Sequence, residues 1–203
     1  MSGSVSNNGT IAVGGNAFTF AGYAGTADTV TTNSGTIANS GAASTISNLT
    51  VTTGASLDGG VNGLAVTAAV TGNLVTSGVV SLNGTGIGSL TLNSGTLSAN
   101  GPIDLSGALT LTAGTLAMAG NLLNVAGSIS RGTGVITSSG TVVLDGAGAQ
   151  SVALAGSTLA TLSVANTGTV TTAGSFSTAD FAKTLAGTFT LAAADTLSVS
   201  SSF

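Results

Sequence analysis

The chain has 203 residues and carries two basic residues, Arg131 and Lys183, against six Asp, for a formal net charge of −4. It contains no Cys, His, Trp or Glu, which removes disulfides, Cys/His zinc sites and Ser–His–Asp catalysis. Two cations cannot neutralise a phosphate backbone, which excludes nucleic acid as a partner, and no apolar run approaches the ~18–20 residues of a membrane-spanning helix.

Along the chain, residues 1–34 read as an irregular N-terminal coil or cap that holds Phe18, Phe20 and Tyr23. Met1-Ser2-Gly3-Ser4-Val5 has neither the basic start nor the apolar stretch of a secretory leader. From residue 35 a punctuation recurs, Gly followed by Thr or Ser and then an apolar residue. It stands at Gly35-Thr36-Ile37, Gly95-Thr96-Leu97, Gly114-Thr115-Leu116, Gly127-Ser128-Ile129, Gly140-Thr141-Val142, Gly168-Thr169-Val170 and Gly187-Thr188-Phe189. The steps Gly35 to Gly54, Gly95 to Gly114 and Gly168 to Gly187 are all 19 residues.

Between these marks apolar and polar residues alternate, as in Leu109-Thr110-Leu111 and Leu162-Ser163-Val164. Alternation is the signature of a strand with one buried face. The runs are three to five residues long and are closed by Gly, Asn or Asp, which accept positive φ at corners. The phrase Leu49-Thr50-Val51 recurs as Leu90-Thr91-Leu92 and Leu109-Thr110-Leu111, with Leu and Val predicted inward and Thr outward. Sustained i, i+3, i+4 spacing is missing, and the most the pattern allows is one helical turn near 178–185.

Three short strands per unit of about 19 residues predict an all-β fold, a right-handed parallel β-solenoid (β-helix) with three-sided coils. The length predicts roughly ten coils and a rod on the order of 50 Å. Residues 35–203 form the repetitive solenoid, and its last coils carry Phe176, Phe181, Phe189 and Phe203.

The phrase Gly140-Thr141-Val142-Val143-Leu144-Asp145-Gly146, with Leu159-Ala160-Thr161-Leu162-Ser163-Val164 downstream, resembles rungs of large bacterial surface proteins. Over residues 35–203 the Gly-Thr-Leu and Leu-Thr-Leu rhythm is similar to autotransporter passengers and filamentous-haemagglutinin-type adhesins. The resemblance rests on composition and rhythm, not on an invariant site. It implies an extracellular or cell-surface rod, secreted, adhesive or structural.

No residue pattern points to catalysis, a cofactor or a metal. The acids Asp28, Asp58, Asp104, Asp145, Asp180 and Asp195 are scattered, and Asp58-Gly59 and Asp145-Gly146 read as turns. Asp58-Gly59-Gly60-Val61-Asn62-Gly63 has the glycines of a calcium-binding repeat but lacks its following Asp. Thr50, Thr52, Thr91, Thr110 and Thr112 fall on matching phases and define an outward Thr face, a pattern that resembles ice-binding solenoids. Thr is also an ordinary exposed strand residue. The aromatics cluster toward the two ends and are absent from residues 24–175. They are either caps over the open ends or, at Phe18, Phe20, Tyr23, Phe189 and Phe203, an assembly interface.

The function expected from these features is a non-enzymatic structural solenoid of a bacterial surface adhesin or filament. Its expected partners are itself, head to tail, and surface glycans, with no membrane insertion. The alternative is an ice-binding or polysaccharide-binding module that uses the Thr face.

Overall fold

The computed structural model describes residues 5–7, 10–14, 17–20, 23–25, 29–32, 36–39, 44–51, 55–59, 64–77 and 79–202. Its strands pair in parallel and stack as a β-solenoid with successive rungs about 19 residues apart, as in Leu90↔Leu109 and Leu97↔Leu116. Residues 79–202, described without a break, make about seven such turns.

The pairings run in three series. One passes through Ser98, Ala117, Thr137, Thr158, Ser177 and Ser198. A second passes through Ile103, Leu123, Val142, Leu162 and Phe181. The third passes through Val75, Thr91, Thr110 and Ser130, and then through Val152, Thr172 and the strand Thr188–Thr190. Strands within the first 34 residues pair at the same spacing, with Thr10↔Thr29 and Ala17↔Thr36.

Alternation along each strand selects the core. Leu90, Leu92, Leu109 and Leu111 are fully buried, while Thr91 and Thr110 between them are half-buried. Parallel in-register stacking places each inward aliphatic over its counterpart one coil away. Ladders such as Leu97–Leu116–Ile136 and Leu105–Val125–Leu144 therefore form one continuous core. Removing one such side chain costs about 2–5 kcal/mol.

Strands such as Leu109–Leu111, Thr115–Ala119 and Leu123–Val125 have the predicted three to five residues, and others are longer. Leu64–Ser77 and Val79–Leu92 each run 14 residues, and Val135–Leu144 runs 10. The reason is the corners between series, one of which is crossed by Val135–Leu144 and two by each 14-residue strand. The chain bends there through a register shift, between Ala117 and Ala119 or between Ser138 and Thr141, and keeps pairing on both sides. The helical turn expected near 178–185 does not form. Phe176–Lys183 is a strand in register with Thr158–Val164, because Leu162↔Phe181 continues the core ladder. Six in-register backbone partners outweigh the weak local preference of that Ala-containing segment.

The corners explain the Gly punctuation. Gly114 has φ +88° and lies directly over Gly95, so that a Cβ there would stand 2.3 Å from the Gly95 carbonyl oxygen. Thr115 N–H donates to that same oxygen at 2.9 Å. The close approach that carries the coil-to-coil hydrogen bond thus leaves no room for a side chain.

One coil is longer than its neighbours, since Ile129 pairs with Val152. A buried carboxamide pair fills the space this creates. Gln150 Nε2 donates to the Val125 and Gly127 carbonyls at 2.8 and 2.7 Å. Asn166 Nδ2 donates to Gln150 Oε1 at 2.5 Å and to the Gly148 carbonyl at 3.0 Å, and its Oδ1 accepts from Gly168 N–H.

Candidate functional site

At the C-terminal coil the inward positions change character. In the body of the rod these positions are fully buried, but Phe189, Leu197 and Val199 are only half-buried against the same core. Among the described residues, Thr188–Thr190 pairs with Thr169–Ala173 alone, and Leu197–Ser202 pairs with Phe176–Lys183 alone. Each therefore presents one strand edge without a described partner. Phe189 stacks at a tilt on Phe181, ring centroids 5.0 Å apart, and nearby Leu185 and Leu191 are exposed. The terminal coil is thus a slice of aliphatic and aromatic core bounded by strand edges.

The other predicted interface residues lie toward the first coils. Phe18 is half-buried, packs against the core and pairs with Ile37. Phe20 and Tyr23 stand in the strands Ala17–Phe20 and Tyr23–Gly25. Their side chains, and all of Phe203, lie outside the described residues.

The predicted Thr face is divided between series. Thr91 and Thr110 pair directly, and Ser130 extends the column by donating from its Oγ to Thr110 Oγ1 at 3.1 Å. Thr112 is exposed and its Oγ1 donates to Asn93 Oδ1 at 3.5 Å. Thr50 belongs to a different series, between Thr31 and Thr71, so the repeated phrase at 49–51 sits on another side of the coil from its copies at 90–92 and 109–111. Thr52 lies outside the described residues. The structure brings together Thr91, Thr110 and Thr112, and does not add Thr50 to them.

The described acids form no cluster of three that would hold a metal ion. Asp104 pairs with Asn124, and Asp145 follows Leu144 one rung further on. Partial burial pushes the Asp145 carboxyl above the usual carboxylate range. A hydrogen bond with its own backbone opposes this, and the charge of Asp104 adds to it. Asp195 has a structural task at the last coil, where its Oδ2 accepts from Gly174 N–H at 2.8 Å.

Sequence reasoning missed a trough on the first series. Three adjoining cavities of about 480, 380 and 350 Å³ share Thr158 and run across successive rungs. Their outer column is Ala117, Thr137, Thr158, Ser177 and Ser198. The signal was present, because Ser98, Ala117, Thr137 and Ser177 each stand three residues after Gly95, Gly114, Gly134 and Gly174. Small outward residues at that fixed offset mark a depressed face.

No family model matches the chain, and neither a curated protein nor a solved structure matches it.

Proposed function

We propose that the chain is a non-enzymatic structural rod of a bacterial extracellular or cell-surface adhesin or filament that assembles end to end. The supporting form is a right-handed, three-sided solenoid of roughly ten coils, in keeping with the three series of pairings and the 19-residue step. The observation that carries the reading is the terminal coil. Phe189, Leu197 and Val199 are half-buried at positions that are fully covered one or two coils earlier, and strand edges flank them. A further coil from a second copy completes both the apolar ladder and the hydrogen-bonded edges. Contact between unlike ends is heterologous and propagates into a filament. At a net charge of −4, self-repulsion is a weak guard against it.

Sedimentation and electron microscopy of the purified 203-residue chain test this reading. Concentration-dependent filaments are expected, and Phe189→Asp is expected to dissolve them by placing a charge in the joint. A monodisperse monomer at high concentration, unchanged by Phe189→Asp, overturns the reading and leaves these aromatics as caps. A second reading, ice binding, rests on the Thr91–Thr110–Ser130 column with Thr112 and Asn93 beside it. Thermal hysteresis measured on the same sample decides that one.

A further inference from the structure

The trough along the first series has a feature that the fold itself does not use. Ser138 and Ser157 are among the few buried polar residues, 7% and 5% exposed, and they line the first and second cavities. Each hydroxyl oxygen is already engaged by a backbone donor. Ser157 Oγ accepts from Ile136 N–H at 3.0 Å, and Ser138 Oγ accepts from Gly140 N–H at 3.2 Å. Ser175, exposed at the rim of the second cavity, also accepts a backbone bond, from Thr196 N–H at 2.9 Å. A hydroxyl is one donor and two acceptor sites. Among the described residues none of these three O–H groups has an acceptor, so two buried donors and one exposed donor line one trough. A buried donor without an acceptor calls for an explanation, and a ligand that supplies one is such an explanation.

The lining defines that ligand. The first two cavities carry no charged side chain, and neither does the third, which Leu159, Thr178, Ala179 and Ser200 help to line. The chain as a whole is acidic. Arg131 and Asp195 flank the second cavity beside Gly156 and Gly174, and each is held by the backbone, Arg131 Nε donating to the Gly134 carbonyl and Asp195 Oδ2 accepting from Gly174 N–H. With one charge of each sign at the edge and none in the lining, a neutral acceptor fits best. The first cavity adds Ala117 and Ala119, an apolar wall beside the hydroxyls. Rungs repeat every ~4.8 Å along the rod, so a matching ligand offers oxygen acceptors and C–H faces at a similar repeat. Each cavity lies within the ~300–1,000 Å³ common for ligand sites.

We propose that this trough binds a neutral linear polysaccharide laid along the rod axis, with its hydroxyl and ether oxygens accepting from Ser138, Ser157 and Ser175 and its ring C–H faces against Ala117 and Ala119. The site is on a different side of the coil from the Thr91–Thr110 column and is independent of end-to-end assembly.

Calorimetric titration of the full chain with cellohexaose, laminarihexaose and maltohexaose tests the proposal, with hexagalacturonate as the charged probe and an uncharged Gly-Ser decapeptide as the polypeptide probe. At least one neutral hexasaccharide is expected to bind, and the charged one is not. Thr158→Trp fills the point shared by all three cavities from an exposed position and is expected to weaken binding by about tenfold or more. Thr110→Trp, on another side, is expected to leave it unchanged. If Thr158→Trp loses its β-sheet circular dichroism, Ser177→Trp on the neighbouring rung supplies the same test. Silence of all three neutral sugars at millimolar concentration, equal binding by hexagalacturonate, binding by the peptide alone, or affinity indifferent to the Trp substitution each overturns the proposal.

Discussion

Asn166→Ala is the sharpest single perturbation of this fold, because one side chain holds together three groups of a coil that is too long for its neighbours. The substitution removes the donor to Gln150 Oε1, the donor to the Gly148 carbonyl and the acceptor of Gly168 N–H. Gly148 is exposed, so water replaces Asn166 there at little cost. Gln150 is buried and Gly168 is half-buried; an orphaned buried group costs about 1–3 kcal/mol, and less where water reaches it. The expected loss is therefore about 2–5 kcal/mol. For a chain of this size it appears as a fall in melting temperature on the order of 4–20 °C.

Urea unfolding followed by circular dichroism measures it. Asn166→Asp sharpens the test, because an ionised carboxylate cannot donate and faces the Gln150 Oε1 acceptor. That variant should lose more stability than Asn166→Ala at neutral pH and recover as acid protonates the new carboxyl. The folded state would hold that proton more tightly than the unfolded chain, so stability falls as pH rises. A loss under ~0.5 kcal/mol for Asn166→Ala, the range of an ordinary surface change, would refute the clamp.

Four further outcomes follow from the packing. Leu111→Ala should cost about 2–5 kcal/mol while Thr110→Ala stays within ~0.5, and equal losses in urea unfolding would mean that the inward phase is misassigned. Gly114→Ala should destabilise strongly, since its Cβ meets the Gly95 oxygen at φ +88°, whereas Gly120→Ala, with open space around its Cβ, should be close to neutral in thermal melts. Thr172 is 1% exposed and its Oγ1 has no hydrogen-bond partner among the described residues, so Thr172→Val should raise the urea midpoint; a lowered midpoint would refute this. Because the folded-state Asp145 carboxyl titrates above its unfolded value, stability should fall as pH rises through the upper carboxylate range and stay flat from about 7 to 9; Asp145→Asn should remove that slope, and a slope that survives assigns it to another group.

The solenoid was legible because its information is local and repeated. Gly95-Thr96-Leu97 and Gly114-Thr115-Leu116 announce a 19-residue step, and the structure stacks Leu97 on Leu116 at that step. The phase of each side of the coil was much less legible. Leu49-Thr50-Val51 and Leu90-Thr91-Leu92 are nearly the same words, yet they fall in different series, because alternation reports in and out without reporting which side of the coil a strand occupies. Only the corners carry that information, and it is held in contacts between coils. Gln150 looks like one more polar turn residue until the longer coil at Ile129↔Val152 makes it a plug. Ser157 looks like solubilising surface until Ile136 N–H occupies its oxygen and buries it. In a chain almost without charge, polar specificity has passed to neutral hydroxyls and carboxamides at such corners. Their role depends on the coil below, so reading along a single coil cannot reveal it.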